Sequence, residues 1–226
     1  MKPSHICATN QIGLQCGIKM NDSRIVQLLR PFLAGSDPSD HETRAIQIYL
    51  DLLLKWNAKL NLTAIRDSEE IVTRHFGESI FAARQLFALK NESSSVIDVG
   101  SGAGFPGMPI KILVPSITLT LVESNQRKST FLREVIRALE MQNVEVVTAR
   151  AESLSIRADL VTFRAVENFE KTLRTARSLV EPGGRLAILI GAQQVATTRA
   201  LLPDIAWNDP SAIPNSNERV LLVNQA

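Results

Sequence analysis

From residue 96 onward, short β-branched runs alternate with helical stretches, and this alternation leaves the chain very few architectures. The runs occupy 96–99, 119–122, 144–147, 160–163 and 186–190, and the helical stretches lie near 107–114, 126–139 and 169–179. Apolar strands separated by helices belong to a parallel sheet covered on both faces. The pattern predicts an α/β fold with a doubly wound sheet. Pro182-Gly183-Gly184 reads as a turn before the fifth run, and a last run, 220–223, follows Asn217-Glu218.

The front of the chain has a different period. Asp22 and Ser23 are N-cap residues, with Ile25, Leu28, Leu29, Phe32 and Leu33 behind them at helical spacing. The segment 35–38, Gly-Ser-Asp-Pro, ends that helix, and Ser39 with Glu42 forms a capping box. One apolar stripe of a long helix then runs through Ile46, Tyr49, Leu50, Leu53, Leu54 and Leu60. Ser68, followed by Glu69 and Glu70, starts another helix, and a further one covers about 77–89 before the polar break at 90–94. The expected organisation is a disordered tail over 1–20, a helical segment over 21–92 and the α/β domain over 93–226. The last two pack as one unit.

Charge and cysteine content exclude several classes. The 226 residues carry 25 Lys plus Arg against 23 Asp plus Glu, so any basic surface has to be local. Arg dominates the cations, 17 against 8 Lys. The two cysteines, Cys7 and Cys16, lie in the tail, so the body has no disulfide framework and no cysteine metal site. His5 and His41 lack partners at metal-ligand spacing, and no metal is expected. Without an 18-residue apolar run or a signal-type leader, the chain is expected to be cytoplasmic, with no membrane partner.

The first run ends in a glycine-rich turn, Val96-Ile97-Asp98-Val99-Gly100-Ser101-Gly102-Ala103-Gly104-Phe105-Pro106-Gly107. A strand, a glycine turn and a helix in that order are the context a nucleotide site requires. The second run ends in Glu123, 23 residues after Gly100. An acid about 20 residues on is placed to accept from both ribose hydroxyls; the alternative reading is a solvated strand-end acid. The G-x-G-x-G spacing and the bulky Phe105 differ from the dinucleotide fingerprint, whose pyrophosphate needs small residues. S-adenosylmethionine carries ribose and adenine but no phosphate, so the turn favours it over a nicotinamide cofactor. After the third run, Ala149-Arg150-Ala151-Glu152 reads either as an adenine bracket or as a helix N-terminus with a dipole acid.

At this level of detail the chain resembles the bacterial small-subunit ribosomal RNA guanine-N7 methyltransferase family, also called glucose-inhibited division protein B. The resemblance is carried by Lys55-Trp56-Asn57, Asn61-Leu62-Thr63-Ala64-Ile65, Arg74-His75 with Ser79, the glycine turn, Arg127-Lys128, Phe131-Leu132-Arg133-Glu134-Val135, Arg150-Ala151-Glu152 and Arg164-Ala165. It spans roughly 46–191, and the N-L-T-x-I segment is its discriminating part. It implies a Rossmann-like class I methyltransferase sheet with an N-terminal helical extension. It also implies an S-adenosylmethionine pocket of Gly100, Phe105, Ala151, Glu152 and Arg164, with Glu123 on the ribose; Gly102 and Gly104 join these from the turn itself. The substrate it implies is a guanine N7 in 16S ribosomal RNA, free or within the small ribosomal particle. Two positions depart from the family pattern: Glu78 stands where the family has Asp, and Ile190 where it has Lys.

Candidate RNA contacts are Arg127, Lys128 and Arg133, on a helix that also carries Arg137 and one acid, Glu134, together with Arg150. A solvated basic face is the competing reading of that helix. Asn125, in the turn before it, is within reach of a substrate. His75 reads as a tether of the front helices, with base or substrate contact as the alternative, and Trp56 reads as packing. Guanine N7 has a free lone pair, so no general base and no catalytic side chain is assigned; rate comes from positioning. The expected enzyme is a monomer. A small-molecule methyltransferase, a dehydrogenase and a non-enzymatic RNA-binding protein are the alternatives left open at this point.

Overall fold

The computed structural model describes residues 20–87 and 94–225. The tail expected over 1–20 therefore lies outside the described residues except for Met20, as do the last residues of the helix expected to reach 89. Seven strands form one sheet in the order β3-β2-β1-β4-β5-β7-β6. β1 (Ser95–Val99), β2 (Thr118–Val122), β3 (Val144–Val147), β4 (Ala158–Arg164) and β5 (Val180–Gly191) run parallel. β6 (Ser211–Ala212) and β7 (Arg219–Val223) add an antiparallel edge, with Gly191 of β5 facing Arg219.

Eight α-helices among the described residues cover the sheet. On one face lie α1 (Asp22–Leu29), α2 (Asp40–Leu60), α3 (Ser68–Ile71), α4 (Glu78–Leu86), α5 (Gly107–Leu113) and α6 (Gln126–Ala138). On the other lie α7 (Phe169–Ser178) and α8 (Val195–Leu201). Strand alternation explains the split. Leu189 and Leu221 join the first core, while Ile188, Ile190, Val220 and Leu222 join the second. Ile190 is thus core, packed on the α7 side. No helix among the described residues is long and apolar enough to cross a membrane.

Local chemistry accounts for the boundaries, including those that differ from the sequence reading. The capping box at Ser39 and Glu42 is present. The cap of α1 is Asn21, not Asp22 or Ser23; its Oδ1 accepts from Arg24 N at 2.8 Å. The helix expected from about 77 is the end of a helical run that begins at Ser68 and passes through a π-helical turn, Val72–Gly77. A glycine is required at 77 because a Cβ there would stand 2.6 Å from the Phe32 ring. The Pro182–Gly184 turn is instead a bulge inside β5: Ala158 pairs with Val180, and Leu160 already pairs with Arg185.

The strand order reverses between β2-β1 and β4-β5. In an open α/β sheet this switch point, at the carboxyl ends of the strands, is where ligands bind. The chain delivers Gly100, Glu123 and Arg164 there from β1, β2 and β4.

Candidate functional site

The glycine turn is built into both its neighbours. Ser101 N donates to Val122 O at 3.0 Å, and Ser101 Oγ donates to Asp98 O at 2.8 Å. Glu123 at the end of β2 closes the turn: its Oε2 accepts from Gly102 N at 2.9 Å and its Oε1 from Asn125 N at 2.7 Å. Asn125 caps α6, its Oδ1 accepting from Arg127 N and Lys128 N. The glycines do different work. At Gly102, φ is +55°, and a side chain would meet only Gly100 O, at 3.8 Å, so the position opens onto the cavity. At Gly104, φ is +91°, and a Cβ would collide with the Tyr49 hydroxyl, with Met108 at 2.9 Å and with Leu132 at 3.0 Å. Gly104 therefore serves the packing of helix on sheet.

A cavity of about 970 Å³ lies over this turn, of the size that takes a small molecule. Of the cofactor residues expected from sequence, Gly100, Gly102, Phe105, Glu123, Ala151, Glu152 and Arg164 line it, and Gly104 does not. Of the expected RNA contacts, Lys128 and Arg150 line it. Arg127 is exposed at the start of α6, outside the cavity lining. Arg133 faces the sheet edge, where its Nη2 donates to Val146 O at 3.0 Å and to Thr148 Oγ1 at 2.9 Å. The Glu152 carboxylate reaches across to α7, 2.5 Å from Lys171 Nζ. That pairing, the larger cause, holds its pKa below the ordinary glutamate value.

The N-terminal helices form one wall. Asn61, Leu62, Thr63 and Ala64, just after α2, line the cavity with His75. The loop is held by Asn57, whose Oδ1 accepts from Thr63 N at 2.9 Å and whose Nδ2 donates to Ile65 O at 3.2 Å. His75 Nε2 is 2.8 Å from Thr63 Oγ1, and the ring stacks on Phe105 with centroids 4.9 Å apart. Phe105 in turn stacks on Tyr49, centroids 5.3 Å apart, and the Tyr49 hydroxyl donates to Ala103 O. His75 is thus both a tether and a cavity wall. Trp56 packs against Phe131.

His75 and Asp98 are among the buried groups whose pKa values are displaced. Burial, followed by the charges of Arg164, Arg74 and Arg219, pushes His75 down to about 3, so the imidazole is neutral. Burial also pushes Asp98 up to about 7, against the bonds from Gly107 N and Ser101. Glu78, 1% exposed, lies between two guanidiniums: its Oε2 is 3.3 Å from Arg164 Nη2 and its Oε1 is 2.5 Å from Arg219 Nη2.

Tyr49 was legible only as part of a helical stripe, and Arg219 carried no signal at all. The link between Glu78 and Arg164 depends on side chains 86 residues apart, which no local pattern can reveal.

The donor set suits S-adenosylmethionine. Each oxygen of Glu123 accepts one backbone N–H and keeps a lone pair for a ribose hydroxyl. The open face of Gly102 allows close approach, and Val99, Val122, Phe105 and Ala151 give apolar surface. Arg164 Nη1, buried and without a hydrogen-bond partner among the described residues, is a donor for a carboxylate.

Comparison with known proteins agrees with this geometry. The family model for rRNA small subunit methyltransferase G (GidB) matches residues 42–209. The chain is 33% identical over 203 residues to ribosomal RNA small subunit methyltransferase G of Leuconostoc citreum, covering 84% of this chain and 85% of that one. With the Chloroflexus aggregans protein of the same name, identity is 35% over 202 residues, covering 84% of each. With that of a Roseiflexus species it is 39% over 184 residues, covering 76% of this chain and 77% of that one. Among solved structures, the ribosomal protein L11 methylase of Lactobacillus delbrueckii superposes with a TM-score of 0.56 at 12% identity, over 68% of this chain and 79% of that one. A SAM-dependent methyltransferase from Aquifex aeolicus gives 0.56 at 15% identity, over 69% and 92%. These two establish the likeness of fold.

Proposed function

The chain belongs to the rRNA small subunit methyltransferase G family, and from that premise we propose that it moves a methyl group from S-adenosylmethionine to N7 of a guanine in 16S ribosomal RNA. The observation that carries the reading is the closed loop of bonds joining Glu123 to Gly102 and Asn125 at the switch point of the sheet. It presents an acid and an open backbone to one cavity wall, while the N-L-T loop and His75 form the opposite wall. The reaction runs in the cytoplasm, on the RNA or on the small ribosomal particle that carries it, with a monomeric enzyme.

When bound, the sulfonium cofactor supplies an activated methyl group. Glu123 would hold the ribose hydroxyls, and Gly100 and Gly102 would let the cofactor approach the backbone. Arg164 Nη1 donates to an anionic group at the end of β4, which is either the cofactor's carboxylate or an RNA phosphate. Ala151 flanks the adenine. The groups facing the cavity support an acceptor that needs no deprotonation. His75 remains neutral across the physiological range and has Nε2 committed to Thr63, and Asp98 is fully buried beneath the turn. Rate therefore comes from alignment and from exclusion of water. Lys128 and Arg150, at the cavity edge, and Arg127, next to Lys128, meet the RNA backbone.

The test is a titration followed by a transfer assay. S-adenosylmethionine and its demethylated product should give binding heat and NAD none. Label from the cofactor methyl should then appear in 16S RNA or in small ribosomal particles lacking the modification. Heat with NAD alone, or no label in RNA with bound cofactor, would contradict the reading.

A further inference from the structure

We infer that Arg219, carried by the C-terminal hairpin, is a positioning residue of the methyl-transfer site: by sharing Glu78 with Arg164 it leaves one Arg164 nitrogen free to hold an oxyanion in the cavity. The inference rests on the proposed function for the identity of that oxyanion. Arg219 lies beyond residue 209, where the family match ends.

The geometry is that of one carboxylate shared by two guanidiniums. Glu78 is 1% exposed, and the side chains of Arg164 and Arg219 are 10% and 26% exposed. With one Glu78 oxygen 2.5 Å from Arg219, only the other remains for Arg164, at 3.3 Å. A carboxylate facing Arg164 alone would be drawn into the two-pronged pairing that guanidinium and carboxylate prefer, which engages two nitrogens of the guanidinium. Here Arg164 Nη1 is buried without a hydrogen-bond partner among the described residues, as are both Glu78 oxygens, which meet the two guanidiniums as ion pairs, and Arg164 lines the cavity.

The charge count points the same way. Two arginines and one glutamate leave an excess of positive charge, which Asp98, titrating near 7 within the field of Arg164, offsets only in part. The neighbouring Arg74 has its own acid, Glu70, at 3.2 Å. A buried unpaired cation is costly, and an anion arriving in the cavity relieves it. Neutral His75 adds no charge to this balance.

Arg219 is also held firmly enough to do this. It faces Gly191 across the β5–β7 ladder, and its N donates to Ser216 Oγ at 3.1 Å. Its carbonyl accepts from Ile213 N at 3.1 Å, and Ala192 N donates to Glu218 O at 2.6 Å. The side chain is therefore launched from a strand held on both sides and not from a free terminus.

The oxyanion has two sources, the cofactor's carboxylate or an RNA phosphate, and one set of titrations separates them. The full-length wild-type chain, Arg219→Ala and Arg219→Lys are titrated with S-adenosylhomocysteine, with methylthioadenosine, which lacks the carboxylate, and with a 16S RNA fragment over a range of salt. For the cofactor source, Arg219→Ala weakens S-adenosylhomocysteine by about tenfold or more, the size of a lost charge-assisted bond. Methylthioadenosine is unaffected and Arg219→Lys recovers part of the loss. For the RNA source, cofactor affinity holds, RNA affinity falls, and the log–log salt slope shallows by roughly 0.7, one phosphate contact.

Equal affinities in wild type and Arg219→Ala would overturn the inference, as would an equal loss for all three ligands in step with thermal stability. A double-mutant cycle with Glu78→Gln tests the route. The Arg219→Ala effect should shrink in that background, and an undiminished effect would mean that Arg219 acts directly and does not position Arg164. Wild-type protein that binds none of the ligands would instead refute the proposed function, so the two failures are distinguishable.

Discussion

Asp98 and His75 are buried ionisable groups whose neutral forms the fold favours, and their contributions to stability have opposite pH dependence. Asp98 titrates near 7 in the fold and near 3.9 when unfolded, so its contribution is complete at low pH and is lost as pH rises toward 7. His75 titrates near 3 in the fold and near 6.5 unfolded, so its contribution is complete above 6.5 and is lost as pH falls toward 3. Between about pH 4 and 6.5 the two slopes oppose each other. Asp98→Asn should therefore make the stability of the ligand-free chain rise with pH across that window relative to wild type, by up to about 1.4 kcal/mol per unit. Denaturant unfolding at several pH values checks this, and parallel curves for the two proteins would contradict it. The glycines of the turn separate in the same way. Gly104→Ala places a Cβ against Met108 and Leu132 at a φ of +91°, and should cost about 2–4 kcal/mol of stability. Gly102→Ala meets no such collision and should cost only about 1–2 kcal/mol for its left-handed backbone while lowering cofactor affinity further, as read by calorimetry.

At the scale of elements, α2 supports the glycine turn through the ring and the hydroxyl of Tyr49. Tyr49→Phe keeps the stack on Phe105 and removes the bond to Ala103 O. It should cost about 1 kcal/mol and weaken the cofactor as well; unchanged cofactor affinity would show that the turn stands without that hydroxyl. On α6 the basic residues should part company. Arg127→Ala with Lys128→Ala should flatten the salt dependence of RNA binding by roughly 0.7 per contact at constant stability. Arg133→Ala, which releases Val146 O and Thr148, should instead loosen β3. The parallel strands, the capping box and α5 to α7 were legible in sequence because each rests on neighbours a few residues apart. The π-helical turn was not, because Gly77 answers to Phe32, which is distant in the chain. The bulge in β5 was hidden because Gly183 and Gly184 look like a turn when the partner strand is unknown.

For the molecule as a whole, seven of the eight expected cofactor residues share one cavity. Gly100, Gly102 and Glu123 were readable because the glycine turn and the acid lie at the ends of successive strands, whereas Phe105 and Arg164 entered through the family resemblance. The wall made by the loop after α2 and His75 was readable only as a family resemblance, since Thr63 and His75 meet Phe105 of the turn through tertiary packing. Arg219 was beyond reach, because an antiparallel strand after the last helix has no periodic signal that fixes its neighbours. All these parts converge on one claim, methylation of an atom whose lone pair is already free. The direct measurement is to incubate small ribosomal particles with labelled cofactor under single-turnover conditions and cleave the RNA with borohydride and aniline, which cuts at N7-methylguanosine. Scission at a single guanine, in step with label and at a rate flat from about pH 8 to 9, above the titration of Asp98 beneath the turn and with no base facing the cavity left to titrate, is the predicted result. Label without scission, or a rate that follows a basic limb, would contradict it.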